Sequence, residues 1–222
     1  MNMLKYIILF LPVLLFADNK KMHDEDPKNR PHNTLGFGVL GSVYINDDQI
    51  FIGQTGSTLN NGSIFIYSKS DDGKIDKDQI FPPIVGTVEH DFGFSISVDG
   101  NSMVVGAPSR AGNGVGRAYI YQRKASKEWV LKKEIVPDSS TWTTDFGSKV
   151  VIENDLILIG DRYARSEDGM VYALYFNKNL GNWIKINPIW TDQIISHGLF
   201  GHDIDIYQNR AIIGSRDGNI AI

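Results

Sequence analysis

"HDFGFSISVDGNSMVVGAP", residues 90–108, contains Asp91-Phe92-Gly93, the triplet that holds magnesium in a protein kinase, and the triplet returns at Asp145-Phe146-Gly147 inside "TTDFGSKVVIENDLILIG". A kinase also needs a glycine-rich loop, a strand lysine and an HRD loop, because the metal acts only beside a held triphosphate and a positioned base. The sequence has none of these companions. One metal site has no use for two copies of its ligand, so the triplet reads as part of a repeat.

The repeat runs along most of the chain. Phe92 to Gly106, Phe146 to Gly160 and Phe200 to Gly214 each span 14 positions, as "FGFSISVDGNSMVVG", "FGSKVVIENDLILIG" and "FGHDIDIYQNRAIIG". An earlier copy, "FGVLGSVYINDDQIFIG" from Phe37 to Gly53, fits with two extra residues after its Phe-Gly. The closing glycines fall at 53, 106, 160 and 214, and Tyr67, Tyr121 and Tyr175 keep a spacing of 54, as do Trp129 and Trp183. Two landmarks sharing one period of this length indicate stacked structural units.

Each unit reads as β-structure. Phe94, Ile96 and Val98 alternate with Ser95, Ser97 and Asp99, the period of a strand with two distinct faces. Asp99-Gly100, Asp47-Asp48 and Asn154-Asp155 supply hairpin turns before a second apolar strand that closes on the repeated glycine. A third strand ends at the tyrosine, and a fourth is represented by "EWVLKKEIVP". Four antiparallel strands per unit predict an all-β fold, a β-propeller of four-stranded blades with about four blades visible and the last incomplete.

Laid out in this way, "FGFSISVDGNSMVVGAP" resembles the FG-GAP repeat, the blade unit of integrin α-chain propellers and of many secreted or cell-surface proteins. Phe92-Gly93 matches the FG, and Gly106-Ala107-Pro108 matches the GAP; the third and fourth copies keep Phe146, Gly147, Gly160, Phe200, Gly201 and Gly214. The resemblance spans residues 35–222, with blades at about 35–89, 90–143, 144–197 and 198–222. It implies that the phenylalanines wedge between neighbouring blades and that the glycines allow close backbone approach. Some integrin-like blades bind calcium in a DxDxDG loop. The corresponding turns here, "VDGN", "INDDQ", "IEND" and "YQNR", offer too few oxygens for that ion, so neither metal nor cofactor is expected.

Composition bounds the function classes. At 222 residues, 42% apolar and 22% charged, the chain can bury a core, and a net charge of -4 without a basic run argues against nucleic acid. Residues 1–17 read as a signal peptide: Lys5, then an apolar run from Tyr6 to Phe16, too short for a bilayer span, then Ala17. The expected location is therefore secreted, extracellular or periplasmic, with no stable membrane insertion once the signal is removed. The chain has no cysteine, so neither a lipoprotein-type anchor nor a disulfide is available. Residues 18–34, charged and holding Pro27 and Pro31, read as a flexible lead-in, and His23 with Asp24, Glu25 and Asp26 reads as solvated.

Antiparallel geometry places the loop that enters each first strand beside the loop that leaves each second strand. The entering loops carry His90, Asp91, Trp142, Asp145, Trp190 and His197, and the leaving loops carry Arg110, Arg162, Arg165 and Arg216. Arginine and aromatic side chains are favoured binding anchors, so Arg110, Arg162, Arg165, Arg216, Trp142, Trp190 and His90 are the candidate ligand-binding residues of one rim. The competing reading has each arginine pairing with a nearby aspartate and each tryptophan covering a sheet edge. No catalytic residue is assigned: the histidines come without a G-x-S-x-G elbow or an H-E-x-x-H pair.

The expected function is non-catalytic recognition or adhesion, with an extracellular protein or glycan as partner; a secreted enzyme with a site in the propeller channel is the alternative. Asn61-Gly62-Ser63 matches a glycosylation acceptor. The fourth copy runs to Ile222 within its third strand, which fits a piece of a longer propeller, an open arc, or a ring completed by another chain.

Overall fold

The computed structural model describes residues 40–46, 48–55, 62–69, 73–80, 91–109, 114–137, 145–190, 198–208, 210–216 and 220–221. The proposed signal peptide, the lead-in and the first Phe-Gly lie outside them. Among the described residues fifteen strands form four antiparallel sheets in chain order. The first sheet holds β1 (Leu40–Ile45), β2 (Gln49–Gln54), β3 (Ser63–Lys69) and β4 (Ile75–Ile80); the second holds β5 (Ser95–Asp99), β6 (Ser102–Ala107), β7 (Arg117–Arg123) and β8 (Trp129–Ile135). The third holds β9 (Lys149–Glu153), β10 (Leu156–Asp161), β11 (Met170–Asn177) and β12 (Asn182–Ile189). The fourth comprises β13 (Asp203–Tyr207), β14 (Arg210–Gly214) and β15 (Ile220–Ala221). A four-residue helical turn, α1 (Ala164–Glu167), interrupts the third unit.

Within every sheet, strands adjacent in sequence pair with each other, so each sheet closes by local hairpins. Asp99 pairs with Ser102, which puts the turn at Gly100-Asn101, one residue later than the Asp99-Gly100 read from sequence. Glu153 pairs with Leu156 around Asn154-Asp155, as expected. Left-handed backbone at Gly100 (φ 55°) and Asn154 (φ 53°) suits these tight hairpins, because such turns need positive φ to match strand twist.

The sheets pack face to face through their first strands, β1 against β5, β5 against β9 and β9 against β13. Each contact encloses its own apolar core. Phe51, Ile64 and Ile66 of the first sheet meet Phe92, Ile96, Val98, Tyr119 and Tyr121 of the second. Val104, Ala118, Ile120 and Ile135 meet Phe146, Val150, Ile152 and Tyr172. Leu158, Val171 and Ala173 meet Phe200, Ile204 and Ile206.

The repeated Phe-Gly is the joint between these layers. Asp91 to Phe94 form a four-residue turn in which Phe94 N–H donates to Asp91 O (3.0 Å), with Gly93 at φ 86° in its third position; Asp145 to Ser148 repeat it, with Gly147 at φ 91°. That φ is the requirement of a type II turn, which excludes most side chains. The turn lifts Phe92, Phe146 and Phe200 into the three cores, where each is at most 1% exposed. It also brings Gly93, Gly147 and Gly201 against the closing glycine of the preceding sheet. A Cβ on Gly53, Gly106 or Gly160 would meet the carbonyl oxygen of Gly93, Gly147 or Gly201 at 1.9, 1.9 and 2.4 Å. The FG of one repeat thus fits the GAP glycine of the repeat before it.

Candidate functional site

In the second, third and fourth sheets the entering and leaving loops meet on one rim. In the second sheet Asp91 N–H donates to Pro108 O (2.9 Å), and in the fourth Arg216 N–H donates to Gly198 O (2.8 Å). In the third sheet a side chain makes the link. Arg162 stands two residues after the closing glycine, where the second repeat has Pro108, and its Nε donates to Asp145 Oδ2 (2.5 Å) in the turn before β9. Asp145 is fully buried and Arg162 one-fifth exposed. A carboxylate removed from water needs a charged partner, so this pair fixes the arginine rather than leaving it to sample solvent.

Beyond Arg162 the chain makes an unusual turn. Arg165, Ser166 and Glu167 all have positive φ (55°, 60° and 71°), a conformation unfavourable for residues bearing a Cβ. It is held by hydrogen bonds to the next repeat, since Leu199 N–H donates to Glu167 O (3.0 Å) and Phe200 N–H to Asp168 O (2.8 Å). Ala164 is buried as the anchor of the turn. The result places two cations on aromatic rings: the Arg162 guanidinium is 5.3 Å from the Tyr163 ring centroid and that of Arg165 is 5.1 Å from Trp190. Both rings stay open to solvent, Tyr163 at 43% and Trp190 at 45%.

Of the seven residues singled out from the sequence, Arg162, Arg165 and Trp190 come together on this rim, with Arg165 on Trp190 and Arg162 three residues away on the same turn. Arg216 is exposed on the corresponding loop of the fourth sheet. His90, Arg110 and Trp142 lie outside the described residues, as do His197 and Asn61. Arg162 also fits the competing reading of an arginine paired with a nearby aspartate. Two residues of the rim were not singled out. Tyr163 had only its position beside Arg162 as a signal. Asp161, wholly buried, had its departure from the repeat, an aspartate where the second copy has Ala107.

Among the described residues no group of three or more histidine, cysteine, aspartate or glutamate side chains is arranged to hold a metal. No described helix is long and apolar enough to cross a membrane. What the rim presents is two arginines seated on aromatic rings, one of them paired with Asp145, beside the carboxylates of Glu167 and Asp168.

A family model for the FG-GAP repeat matches residues 85–121, the stretch that contains β5, β6 and most of β7. The chain carries an FG-GAP repeat over this stretch. No curated protein gives a significant match to it.

Proposed function

We propose that the four sheets are blades of a β-propeller exported from the cytoplasm, and that the rim around Arg162, Tyr163, Arg165 and Trp190 binds an extracellular protein or glycan without catalysis. The apolar N-terminal run of the sequence supports export. The observation that carries the binding reading is the pair of arginine-on-aromatic stacks on one strained turn, with both rings more than 40% exposed. Strained backbone persists only where its surroundings hold it, and it gathers at binding sites. Arg162 serves as the anchor of this surface, while Tyr163, Arg165 and Trp190 form the part a partner can reach.

The test is binding of the chain to a glycan array and to a panel of extracellular proteins. The reading expects one class to bind and expects Trp190→Ala and Arg165→Ala each to weaken that binding at least about tenfold, roughly 1.4 kcal/mol. Leu180→Ala, in the β11–β12 turn on the opposite rim, should leave affinity unchanged. Affinity insensitive to Trp190 and Arg165 refutes the reading. Turnover in a screen of hydrolase and lyase substrates would favour the enzyme alternative.

A further inference from the structure

Where the first sheet packs on the second, at the end away from the candidate rim, two pairs of polar residues face each other. Gln49 opens β2, and its side chain lies on the same face as that of Phe51, because alternate strand residues share a face. Its register partner on β3 is Ser68, whose Oγ accepts from Gln49 Nε2 (2.9 Å). Across the contact Arg123 closes β7 and Trp129 opens β8, and these two are direct cross-strand partners, so their side chains also share a face. Two contacts bring the pairs together. Arg123 Nη2 donates to Oδ2 of Asp48, the residue before Gln49 (3.0 Å), and the Trp129 ring lies 5.8 Å from that of Phe51, two residues after it. Gln49 is therefore bracketed by the residues that Arg123 and Trp129 touch.

Each of these three side chains keeps one buried atom that has no hydrogen-bond partner among the described residues: Gln49 Oε1, Arg123 Nε and Trp129 Nε1. Gln49 is 3% exposed, Trp129 8% and the Arg123 side chain 13%. A buried donor or acceptor left unmatched loses its bond to water and gains nothing, so folded proteins rarely tolerate one. Three in one corner of one contact require a common guest. Its chemistry follows from the atoms that surround it. The guanidinium and indole N–H groups only donate and the amide oxygen only accepts, so the guest must accept twice and donate once. An anion would suit the two nitrogens but would face the amide oxygen and the Asp48 carboxylate. A cation would suit the oxygens but would face the Arg123 guanidinium. A neutral hydroxylic molecule satisfies all three, and a site whose polar atoms are closed to solvent admits only the smallest.

We infer that a single buried water is a constituent of the first joint, donating to Gln49 Oε1 of one sheet and accepting from Arg123 Nε and Trp129 Nε1 of the next. Structural waters of this kind make about three hydrogen bonds and are costly to remove. The site belongs to this joint and not to the repeat. At the same places in the next contact stand Ser102, Asn177 and Trp183, and Asn177 Oδ1 is occupied by its own turn, accepting Asn179 N–H (3.0 Å) and Leu180 N–H (3.1 Å). The inference concerns how two sheets are joined and is independent of what the rim binds.

The experiment is water–protein cross-relaxation in the full chain, read by NMR at the tryptophan indole N–H groups, with Trp129→Phe assigning the resonance. The expected result is a cross-peak between the Trp129 indole proton and water whose sign relative to the diagonal inverts between the laboratory-frame and rotating-frame experiments, the signature of a held water and not of proton exchange. Gln49→Met should abolish the cross-peak while the indole resonance itself remains. Absence of a dipolar cross-peak in the unaltered protein overturns the inference. So does a cross-peak that Gln49→Met leaves unchanged, as relay through the Ser68 hydroxyl would give. An indole resonance of Trp129 that moves with chloride concentration at fixed ionic strength also overturns it, in favour of an anion. Should Gln49→Met misfold, a high-resolution crystal structure of the unaltered chain decides: a water bonded to all three atoms supports the inference, and a direct hydrogen bond from Trp129 Nε1 to Gln49 Oε1 overturns it.

Discussion

The contact between the second and third sheets and the contact between the third and fourth come from the same repeat but are bonded differently. In the former, Ser95 and Ser97, 7% and 8% exposed, accept N–H groups of β9 in the dry space between the sheets. In the latter the same register holds Lys149, Val151 and Glu153. Valine accepts nothing, so the N–H groups of Ile204 and Ile206 turn to their own neighbours Asp203 and Asp205 (3.1 and 3.0 Å), and Lys149 reaches Asp203 at 2.7 Å in a solvent-exposed ion pair. Lys133 Nζ and Lys185 Nζ also clamp the former contact, donating to Trp183 O and Val136 O at 2.7 Å each. Glycine and phenylalanine set the spacing of both contacts, and the residues facing the next sheet set their strength.

The largest difference should appear in the cores. Phe146 lies 4.9 Å from the Tyr172 ring in the larger cluster, so Phe146→Ala is expected to cost about 3–5 kcal/mol in urea unfolding, and Phe200→Ala, in the smaller cluster, less. Equal losses would break the comparison. Next come the serines. Ser95→Ala and Ser97→Ala each strand a buried N–H and should cost about 1–3 kcal/mol, whereas Lys149→Met, losing an exposed pair, should cost less than about 1 kcal/mol.

Titration separates the contact between the first and second sheets, where Tyr119 lies, from the contact between the third and fourth, where Lys149 pairs with Asp203. Burial, with Glu134 beside it and Arg117 opposing, pushes the Tyr119 hydroxyl up from 10.0 to about 12. Its folded pKa exceeds the unfolded one, so its contribution is full below pH 10.0 and is lost as pH rises toward about 12. Phenolate absorbance should show Tyr119 ionising only with unfolding, and Tyr119→Phe should remove that part of the alkaline loss. The smallest effect belongs to Asp203. Burial raises its carboxyl, but the Lys149 hydrogen bond and charge, with the Ile204 N–H, bring it below its ordinary 3.8. Its contribution is present above pH 3.8 and is lost as pH falls through the lower folded value. Acid unfolding should be shallower in Lys149→Met.

The hairpins were legible because alternation and turn residues act locally: Ile96 and Val98 against Ser95 and Ser97 define two faces whatever surrounds them. The fate of the polar face was not legible. Serine is polar enough to look solvent-facing and small enough to let another sheet approach, and only the stacking decides which. On the rim, antiparallel geometry was enough to bring Arg162 to Asp145. The left-handed run at Arg165, Ser166 and Glu167 had no local signal, because it is imposed by bonds to Leu199 and Phe200 in the next repeat. The seating of Arg165 on Trp190 follows from that turn and was equally hidden.

The claim beneath all of this is that each sheet seats its FG turn on the closing glycine of the sheet before it. Urea unfolding of Gly106→Ala beside Gly214→Ala, at concentrations dilute enough for single chains, tests it most directly. The added methyl at Gly106 meets the Gly147 carbonyl at 1.9 Å, while at Gly214 it makes only an ordinary contact with Asp203 O at 3.8 Å. The account predicts a loss of roughly 3 kcal/mol or more for Gly106→Ala, since neither backbone can move aside, and almost none for Gly214→Ala. Equal, small losses at both positions would contradict it.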